Sequence, residues 1–349
     1  MESLRVLRPD IEFVGRGGPR MKSLARANFL DWNEQSAVLG LWEVLKHYGY
    51  FRAQFRAALQ EIRREKSDAV VLIDYPGFNL RLARALRKHS LGGKIIYYIS
   101  PQVWAWNRRR IPQMAESLDL MLCIFPFEAE LYNKSGLRTV FVGHPMMESL
   151  QARRISDARE PNLIGLFPGS RLREVRKILP IMLETAKLIL TKQPEARFEI
   201  AAANSKLAAE IEHSLPNECF RLTSGEASSL MQRAQVGVVA SGTATLEAAY
   251  YRMPFVLVYR VALLTYLAAR LVVKVKHLGM PNVLANREVV PEFIQGKAKA
   301  DAICETVLPL MNDHVRRERM IADFDSVVAK LGEGKASETA ARMILDELS

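Results

Sequence analysis

The amino-acid sequence predicts an α/β protein built from two doubly wound, Rossmann-like domains that face a cleft. Short β-branched, apolar runs alternate with helical stretches along the chain, and this alternation is typical of parallel sheets covered by helices. Runs such as AVVLI (69–73) and VGVVA (236–240) are apolar throughout, which predicts strands buried on both faces. With 349 residues, the chain is long enough for two separate cores.

The individual elements follow from these runs and from the helical stretches between them. Strands are predicted at residues 11–14, 69–73, 94–98, 120–124, 140–142, 163–167, 198–202, 236–240 and 255–259. Helices are predicted at residues 38–66, 80–89, 172–192, 243–250, 301–329 and 336–348.

A polar stretch, QARRISDAREP (151–161), predicts the domain boundary. We expect a first domain at 1–150, a second at 160–333, and a C-terminal helical segment at 334–349. That segment either packs back on the first domain or is exchanged with a partner subunit. A doubly wound domain normally opens with a strand and a loop, which we do not find before the first helical residues. We therefore expect the first βα unit to be absent, through a misassigned start or as a natural variant with an open sheet edge.

The chain is basic, with 49 Lys and Arg against 38 Asp and Glu, a formal net charge of +11. Such an excess fits nucleic acid, an anionic membrane surface or an anionic substrate. The charges are spread along the chain, and we find no nucleic-acid-binding motif. An anionic substrate lying on a membrane surface is therefore expected, and no nucleic acid.

The cysteines and the apolar segments predict a cytoplasmic protein. Cys123, Cys219 and Cys304 are widely spaced without a CxxC pair, which indicates a reducing compartment and no metal site. The N-terminus lacks the apolar segment of a signal peptide, and Arg residues interrupt the most apolar stretch, 256–275. Residues 263–274 fit either a helix at the membrane surface or a buried helix.

Residues 167–174, FPGSRLRE, join an apolar strand to a long predicted helix. Gly169 allows a tight turn, Ser170 is placed to cap the helix, and Arg171 offers a bidentate donor to phosphate. Because ligands of α/β proteins bind at the carboxyl ends of strands and helix N-termini attract anions, this turn predicts a phosphate site. A capped turn without a ligand is the alternative.

Residues 239–247, VASGTATLE, repeat this arrangement after a later strand. The amide and hydroxyl groups of Ser241, Gly242, Thr243 and Ala244 are suited to hold a diphosphate. Glu247, one helical turn further on, is placed to accept hydrogen bonds from ribose hydroxyls, unless it is a solvated helix residue. Two such loops in one domain predict a nucleotide site.

Residues 74–79, DYPGFN, follow the apolar run AVVLI. A carboxylate at the carboxyl end of a strand, facing the cleft, is well placed to act as a general base. Asp74 is therefore a candidate base, although an Asp at this position also fits a helix cap or a turn before Pro76.

The segment SPQVWAWNRRR (100–110) places Trp104 and Trp106 two residues apart, beside basic residues. They would form an apolar shelf with a cationic rim, which suits an acylated sugar phosphate, unless one or both pack in the core. His144, in VGHP, lacks Cys or carboxylate partners and so does not predict a metal site. It is expected in the cleft or at the domain hinge.

Taken together, these motifs resemble the lipid-A-disaccharide synthase family, whose members are GT-B glycosyltransferases. WAW, the DYPGFN segment and the PNVLANREVVPEFIQ segment are specific to that family, whereas the SGTA loop is shared more widely. The matching segments are collinear and cover nearly all of the chain: GGPRM (17–21), VLGLWEVLKH (38–47), IDYPGFNLRLARALRK (73–88), YYISPQVWAWNRRR (97–110), FPFE (125–128), FVGHP (141–145), PGSR (168–171), SGTATLEA (241–248) and MPNVLANREVVPEFIQ (280–295).

The resemblance implies an inverting transfer of 2,3-diacylglucosamine from UDP-2,3-diacylglucosamine to 2,3-diacylglucosamine 1-phosphate. The products would be the β(1→6)-linked disaccharide 1-phosphate and UDP. No cofactor and no metal are implied, because helix N-termini and Arg171 would neutralise the diphosphate. The family also implies a homodimer that exchanges C-terminal segments, associated peripherally with the cytoplasmic face of the inner membrane.

The same resemblance implies roles for individual residues. Asp74 would be the general base for the acceptor 6-hydroxyl. The UDP-sugar site would comprise Gly169, Ser170, Arg171, Ser241, Gly242, Thr243, Ala244, Glu247, Asn282, Glu292 and Gln295. The acceptor and its lipid would meet Asn79, Trp104, Trp106 and His144.

The sequence departs from the family pattern at three places. The opening strand and its Gly-rich loop are not found, which bears on acceptor binding. Gly77 stands where many relatives carry a second Asp, and Asn286 stands where Gly is usual. Two alternatives stay open: another UDP-N-acetylglucosamine enzyme of GT-B fold, such as a peptidoglycan glucosaminyltransferase or a 2-epimerase, and an inactive homologue that only binds UDP or lipid.

Overall fold

A computed structural model describes residues 1–26, 29–31, 48–155, 158–215, 220–262, 266, 270 and 275–349. It divides into two compact units. The first unit comprises Met1–Pro145 and Gly332–Ser349, and the second comprises Met146–Leu331. The predicted helix 38–66 is described only as Tyr48–Glu65, and most of the apolar stretch 263–274 lies outside the described residues.

The first unit contains a four-stranded parallel sheet in the order β3-β4-β5-β6. A two-stranded pair, β1-β2, precedes it. The strands are β1 (Arg16–Gly17), β2 (Leu30–Asp31), β3 (Ala69–Ile73), β4 (Lys94–Tyr98), β5 (Leu120–Cys123) and β6 (Thr139–Phe141). The helices of this part of the chain are α1 (Glu2–Leu7), α2 (Pro19–Lys22), α3 (Tyr48–Glu65), α4 (Pro76–Lys88), α5 (Val103–Trp106), α6 (Ile111–Ser117) and α7 (Pro126–Asn133).

The second unit contains a six-stranded parallel sheet in the order β12-β11-β10-β7-β8-β9. Its strands are β7 (Glu160–Phe167), β8 (Arg197–Ala202), β9 (Phe220–Ser224), β10 (Ala234–Ala240), β11 (Phe255–Tyr259) and β12 (Glu292–Ile294). Its helices are α8 (Met146–Ala152), α9 (Leu172–Lys192), α10 (Ser205–Glu212), α11 (Ala227–Arg233), α12 (Ala244–Tyr250), α13 (Met280–Ala285), α14 (Ala300–Asn312) and α15 (His314–Ala329). One large apolar core lies between this sheet and its helices.

The C-terminal helix α16 (Ala336–Leu348) packs on the first unit. Ala340, Ala341 and Ile344 share a core cluster with Leu4 of α1 and with strands β4 and β5. The nearly buried Glu347 accepts a salt bridge from Lys94 at 2.9 Å and another from Arg138. Exchange of this helix between subunits remains a prediction.

The division falls between Pro145 and Met146, ahead of the polar stretch 151–161. Helix α8 belongs to the second unit because Leu150 lies in its core. The Tyr251 hydroxyl also donates to the Leu150 carbonyl, at 3.1 Å.

Four sequence predictions about the elements are wrong. Residues 11–14 form no strand; Ile11 and Phe13 are apolar because they pack against the core of the first unit. The predicted helix 301–329 is two helices, broken at Asp313, whose side chain caps the second by accepting from the Arg316 amide. Strands β9 and β12 were not predicted, because β9 is half polar and β12 has three residues.

The fourth error concerns the burial of β3. Its run AVVLI predicts burial on both faces, yet only Leu72 is fully buried and Ile73 is 41% exposed. In the described sheet β3 lies at the edge and pairs with β4 alone. The run VGVVA of β10, by contrast, is fully buried as predicted, because β10 lies inside its sheet.

Candidate functional site

The strand order of the second unit places two loops at one point of the sheet. Counted from β7, the order corresponds to 3-2-1-4-5-6: β8 and β9 follow on one side of β7, and β10 to β12 follow on the other, so the strand order reverses between β7 and β10. Phe167 of β7 pairs with Val239 of β10, so the carboxyl ends of these strands are neighbours. Ligands of open α/β sheets bind at such a switch point. The predicted phosphate loops PGSR and SGTA follow these two strands.

The first loop turns at Gly169, for two reasons that both require glycine. Its φ of +114° is unfavourable for other residues. A Cβ there would lie 2.7 Å from Glu174 Oε2 and 3.0 Å from Glu174 Cβ. The prediction that Ser170 caps the helix is wrong: the N-cap position of α9 is Arg171, whose side chain makes no capping bond. Ser170 is exposed in the loop.

Arg171 forms a salt bridge with Glu174, Nη1 to Oε1, at 2.7 Å. The Arg171 side chain is 62% exposed, and an exposed pair of this kind contributes about 0–1 kcal/mol. Burial raises the pKa of the Tyr259 hydroxyl, the Glu174 carboxylate raises it further, and the Arg171 guanidinium opposes the shift. Tyr259, at the end of β11, therefore lies near this pair. Sequence reasoning missed Glu174, although its position in the first turn of the helix was a usable signal.

The second loop begins at Ser241, whose amide donates to the Val258 carbonyl of β11 at 3.1 Å. Gly242 has a φ of +150° and faces open space. Thr243 is the N-cap of α12, and the Thr245 hydroxyl donates to the Gly242 carbonyl at 2.7 Å. Ala244 is the first residue of α12.

Glu247 is not the solvated helix residue that was the alternative prediction, because it is partly buried. Burial raises the pKa of its carboxyl group, and the nearby Arg153 guanidinium partly opposes that shift. Arg153, which sequence reasoning did not single out, therefore belongs to the surroundings of this loop.

The three remaining residues that were predicted to bind the UDP-sugar are hydrogen-bonded within the protein. Asn282 is fully buried, accepts from the amides of Val289 and Val290, and donates to the Val290 carbonyl and to Glu292. Glu292 accepts from the amides of Leu278 and Gly279 before α13.

The Gln295 side chain accepts a hydrogen bond from the Val261 backbone amide and donates one to the Val261 backbone carbonyl. These contacts fix the segments beside β11 and β12. Direct contact of Asn282, Glu292 and Gln295 with a donor stays a prediction.

In the first unit, Asp74 follows β3 directly, and its side chain is exposed. Asp74 and Tyr75 both have left-handed backbone conformations, with φ of 46° and 47°, which cost non-glycine residues about 1–3 kcal/mol each. Hydrogen bonds hold the turn: the Asp74 amide donates to Tyr98 at 2.9 Å, and the Asp74 carbonyl accepts from Tyr97 Oη at 2.5 Å and Asn79 Nδ2 at 2.7 Å. Asn79 therefore stabilises the turn that carries the candidate base, through a hydrogen bond to the Asp74 backbone.

The two tryptophans of WAW have different surroundings. Trp104 is buried, and its Nε1 donates to Glu128 Oε1 at 2.8 Å. Trp106 is 40% exposed, and the Arg110 guanidinium lies 4.9 Å from its ring centroid. The predicted apolar shelf with a cationic rim thus applies to Trp106 alone.

A buried carboxyl group supports this segment. Glu128 also accepts from the Ser100 hydroxyl at 2.5 Å and from the Phe125 amide at 3.3 Å. Burial raises the pKa of Glu128 to about 7, although its hydrogen-bond donors oppose the shift. The motif FPFE contained the signal for this residue, because a Glu three residues after a helix start fits a capping box.

His144 is buried, and its ring lies 5.3 Å from that of Phe125, which stacks on Phe127. Burial lowers the pKa of His144 to about 4. The imidazole is therefore neutral at physiological pH.

Within the part of the chain that the structure describes, no group of three or more His, Cys, Asp or Glu side chains is arranged to hold a metal ion. No helix among those residues has the length and apolarity needed to cross a bilayer.

Comparisons with known proteins agree with the motifs. A profile of the family described as lipid-A-disaccharide synthetase matches residues 1–344. The lipid-A-disaccharide synthase of Geobacter sulfurreducens is 36% identical, over 99% of this chain and 92% of its own. Lipid-A-disaccharide synthase 1 of Legionella pneumophila (strain Philadelphia 1) is also 36% identical, over 99% and 91%.

Solved structures with the same fold are more distant in sequence. S. aureus MnaA with UDP has a TM-score of 0.64 at 12% identity, covering 98% of this chain and 90% of that chain. The glycotransferase of kitacinnamycin has a TM-score of 0.57 at 14% identity, covering 100% and 95%. These similarities confirm the predicted GT-B fold class.

Proposed function

Because this chain belongs to the lipid-A-disaccharide synthase family, we propose that it transfers 2,3-diacylglucosamine from UDP-2,3-diacylglucosamine to 2,3-diacylglucosamine 1-phosphate. The products are UDP and the β(1→6)-linked disaccharide 1-phosphate. The observation that supports this reaction best is the pair of loops at the switch point of the second unit, after β7 and β10. A UDP-activated donor carries the diphosphate for which such loops are suited.

The donor diphosphate is bound by the first turn of α9 and by Arg171. Helix α9 has 21 residues, and the first N–H groups of a helix lack intrahelical partners and carry a partial positive charge. Arg171 leaves its exposed contact with Glu174 at small cost and donates to the phosphate oxygens. Ser241, Thr243 and the turn at Gly242 contribute the second wall, and Glu247 accepts from ribose hydroxyls.

Asp74 acts as the general base. Its carboxylate takes the proton of the acceptor 6-hydroxyl, and the oxygen attacks the anomeric carbon of the donor sugar. The bond from that carbon to the UDP oxygen breaks, so the configuration inverts and UDP leaves with the electron pair. Arg171 and the α9 N-terminus stabilise the charge on the leaving diphosphate. The reaction needs no cofactor or metal ion.

The acceptor lies along the first unit, where Trp106 and Arg110 offer an exposed aromatic face and a charge. Trp104, Asn79 and His144 act behind that surface as positioning residues. The enzyme works at the cytoplasmic face of the inner membrane, where its acylated substrates reside, as a homodimer that exchanges α16.

The direct test is turnover by the full chain with both acylated glucosamine substrates. Mass spectrometry should detect the disaccharide 1-phosphate, and UDP should be released in equal amount, with or without EDTA. Loss of activity in EDTA and its recovery with Mg²⁺ would contradict the metal-free reaction.

UDP-N-acetylglucosamine alone serves as the control donor in that assay. Its epimerisation without disaccharide formation would favour the 2-epimerase alternative. UDP binding without any turnover would favour an inactive binding protein.

A further inference from the structure

A basic groove runs between helices α4 and α6 of the first unit. It encloses a cavity of about 60 Å³, roughly the room of four waters and therefore of a phosphate group. Its lining residues recur at three- and four-residue spacing, so one face of each helix lines the groove. They are Gly77, Leu80, Arg81 and Arg84 on one side and Arg110, Gln113, Met114 and Ser117 on the other. We call this cavity the arginine groove.

The arginine groove has an unbalanced positive charge. Asp and Glu are absent from its lining, and within the described residues Arg81, Arg84 and Arg110 form no salt bridge with a carboxylate. Arg87, one turn further along α4, does have such a partner, Asp119 at 2.8 Å. Guanidinium groups that share a groove repel one another, and a bound anion removes that repulsion.

Contacts within the protein orient two of the three arginine side chains of the groove, Arg84 and Arg110. Arg84 Nε lies 3.4 Å from the Leu80 carbonyl, and Arg110 lies over the Trp106 ring. Leu80 and Met114 are buried and form an apolar floor. An ordered guanidinium loses less conformational freedom when it binds an oxyanion.

The groove begins close to the candidate base. Pro76, two residues after Asp74, lines one end, and Arg81 lies five residues further along α4, about 7.5 Å along the helix axis. In a glucosamine 1-phosphate, C1 carries the phosphate and C5 carries the 6-hydroxyl through C6, and both of these ring carbons are bonded to the ring oxygen. An acceptor whose 6-hydroxyl reaches Asp74 therefore has its phosphate within one sugar ring of that residue, on the scale of this spacing.

On the basis of the proposed function, we infer that the arginine groove binds the phosphate of the acceptor glycolipid. Arg81 and Arg110 donate to the phosphate oxygens from opposite sides, and Arg84 closes the inner end. The groove thus selects a phosphorylated acceptor and sets which hydroxyl reaches Asp74.

Steady-state kinetics of Arg81→Gln/Arg84→Gln test the inference. Lys88→Gln/Arg109→Gln is the matched control, because it removes two positive charges from the two segments that line the groove, at positions outside its lining. The KM for 2,3-diacylglucosamine 1-phosphate should rise about tenfold to a hundredfold in the groove variant, with the UDP-sugar KM unchanged. An acceptor KM within twofold of the control variant overturns the inference.

A binding measurement separates this inference from the proposed reaction. Calorimetry with glucosamine 1-phosphate should detect binding to the parent and the control variant but not to the groove variant, and glucosamine should bind to none. This result holds even if no disaccharide is formed, in which case only the proposed function fails.

Vesicles of phosphatidylglycerol test the other source of phosphate. If the groove variant keeps its affinity for glucosamine 1-phosphate but is released from these vesicles, the groove binds lipid headgroups and the inference is wrong. Absence of glucosamine 1-phosphate binding by the parent protein also overturns it.

Discussion

The two units end their site-forming strands in different ways. In the second unit the chain turns at Gly169 and Gly242, both with positive φ, and glycine leaves backbone amides open to a ligand. In the first unit the turn after β3 is made by Asp74 and Tyr75, which adopt left-handed backbone conformations although neither is glycine. Three hydrogen bonds, to Tyr98, from Tyr97 and from Asn79, hold that turn.

The two kinds of turn offer different chemical groups to a ligand. A glycine turn presents backbone, which suits recognition of a diphosphate. The Asp74 turn presents one carboxylate, and its conformational cost is offset by the surrounding hydrogen bonds. We therefore expect substitutions at the Asp74 turn to affect the chemical step and those at the glycine turns of the second unit to affect nucleotide binding.

The largest expected effect is that of Asp74→Asn on turnover. Asn tolerates the left-handed conformation, so the turn should persist while the base is lost. We expect kcat to fall about 10²- to 10⁴-fold. Asp68→Asn, at the opposite end of β3, is the control and should be close to the parent. Near-normal turnover of Asp74→Asn would exclude this residue as the base.

The first unit contains buried ionisable groups, Glu128 after β5 and His144 after β6, so its stability should depend on pH. Burial raises the pKa of Glu128 to about 7. The folded state therefore keeps its proton longer than the unfolded state, and stability is lost as pH rises from about 4.5 to 7. The loss is on the order of 3 kcal/mol.

His144 has the opposite sign, because burial lowers its pKa to about 4. Its contribution is present above about pH 6.5 and is lost as pH falls towards 4. Urea unfolding at about pH 5 and pH 7 should therefore show stability gained with pH in Glu128→Gln, relative to the parent, and stability lost with pH in His144→Asn. Equal pH slopes in all three proteins would contradict these assignments.

Gly169→Ala tests the glycine turn itself. The positive φ and the contact with Glu174 should lower the free energy of unfolding by about 1–3 kcal/mol and weaken UDP binding. Gly296→Ala is the control, because a Cβ there meets no atom within 4 Å. If the two variants are equally stable, the turn does not depend on glycine.

The smallest effect expected is that of Glu174→Gln. Glu174 holds Arg171 and places a negative charge beside the proposed diphosphate site, so its neutralisation should tighten UDP binding by up to about 1 kcal/mol. Glu184→Gln, further along α9, controls for the change in net charge. Weaker UDP binding in Glu174→Gln would mean that the carboxylate assists the site.

Much of this arrangement follows from local sequence. Apolar runs predict β7 and β10, and glycines after them predict the turns, because both signals lie within a few residues. The burial of Trp104 is not predictable in that way, because its hydrogen-bond partner Glu128 is 24 residues away along the chain. Ser170 has the right residue type for a cap, but the backbone at Arg171 makes Arg171 the N-cap. Likewise, the apolar residues among 11–14 pack against a core whose members are mostly far away in the sequence, so their pattern does not indicate a strand.

Calorimetric titration with UDP of the parent, Arg171→Ala and Asp74→Asn tests the division of roles between the units most directly. Lys177→Ala, an exposed cation on the same helix, is the control for Arg171→Ala. We expect Arg171→Ala to lose about 1.5–3 kcal/mol of UDP binding free energy and Asp74→Asn to bind UDP as the parent does. Unchanged affinity in Arg171→Ala, or a comparable loss in Asp74→Asn, would contradict a donor site in the second unit.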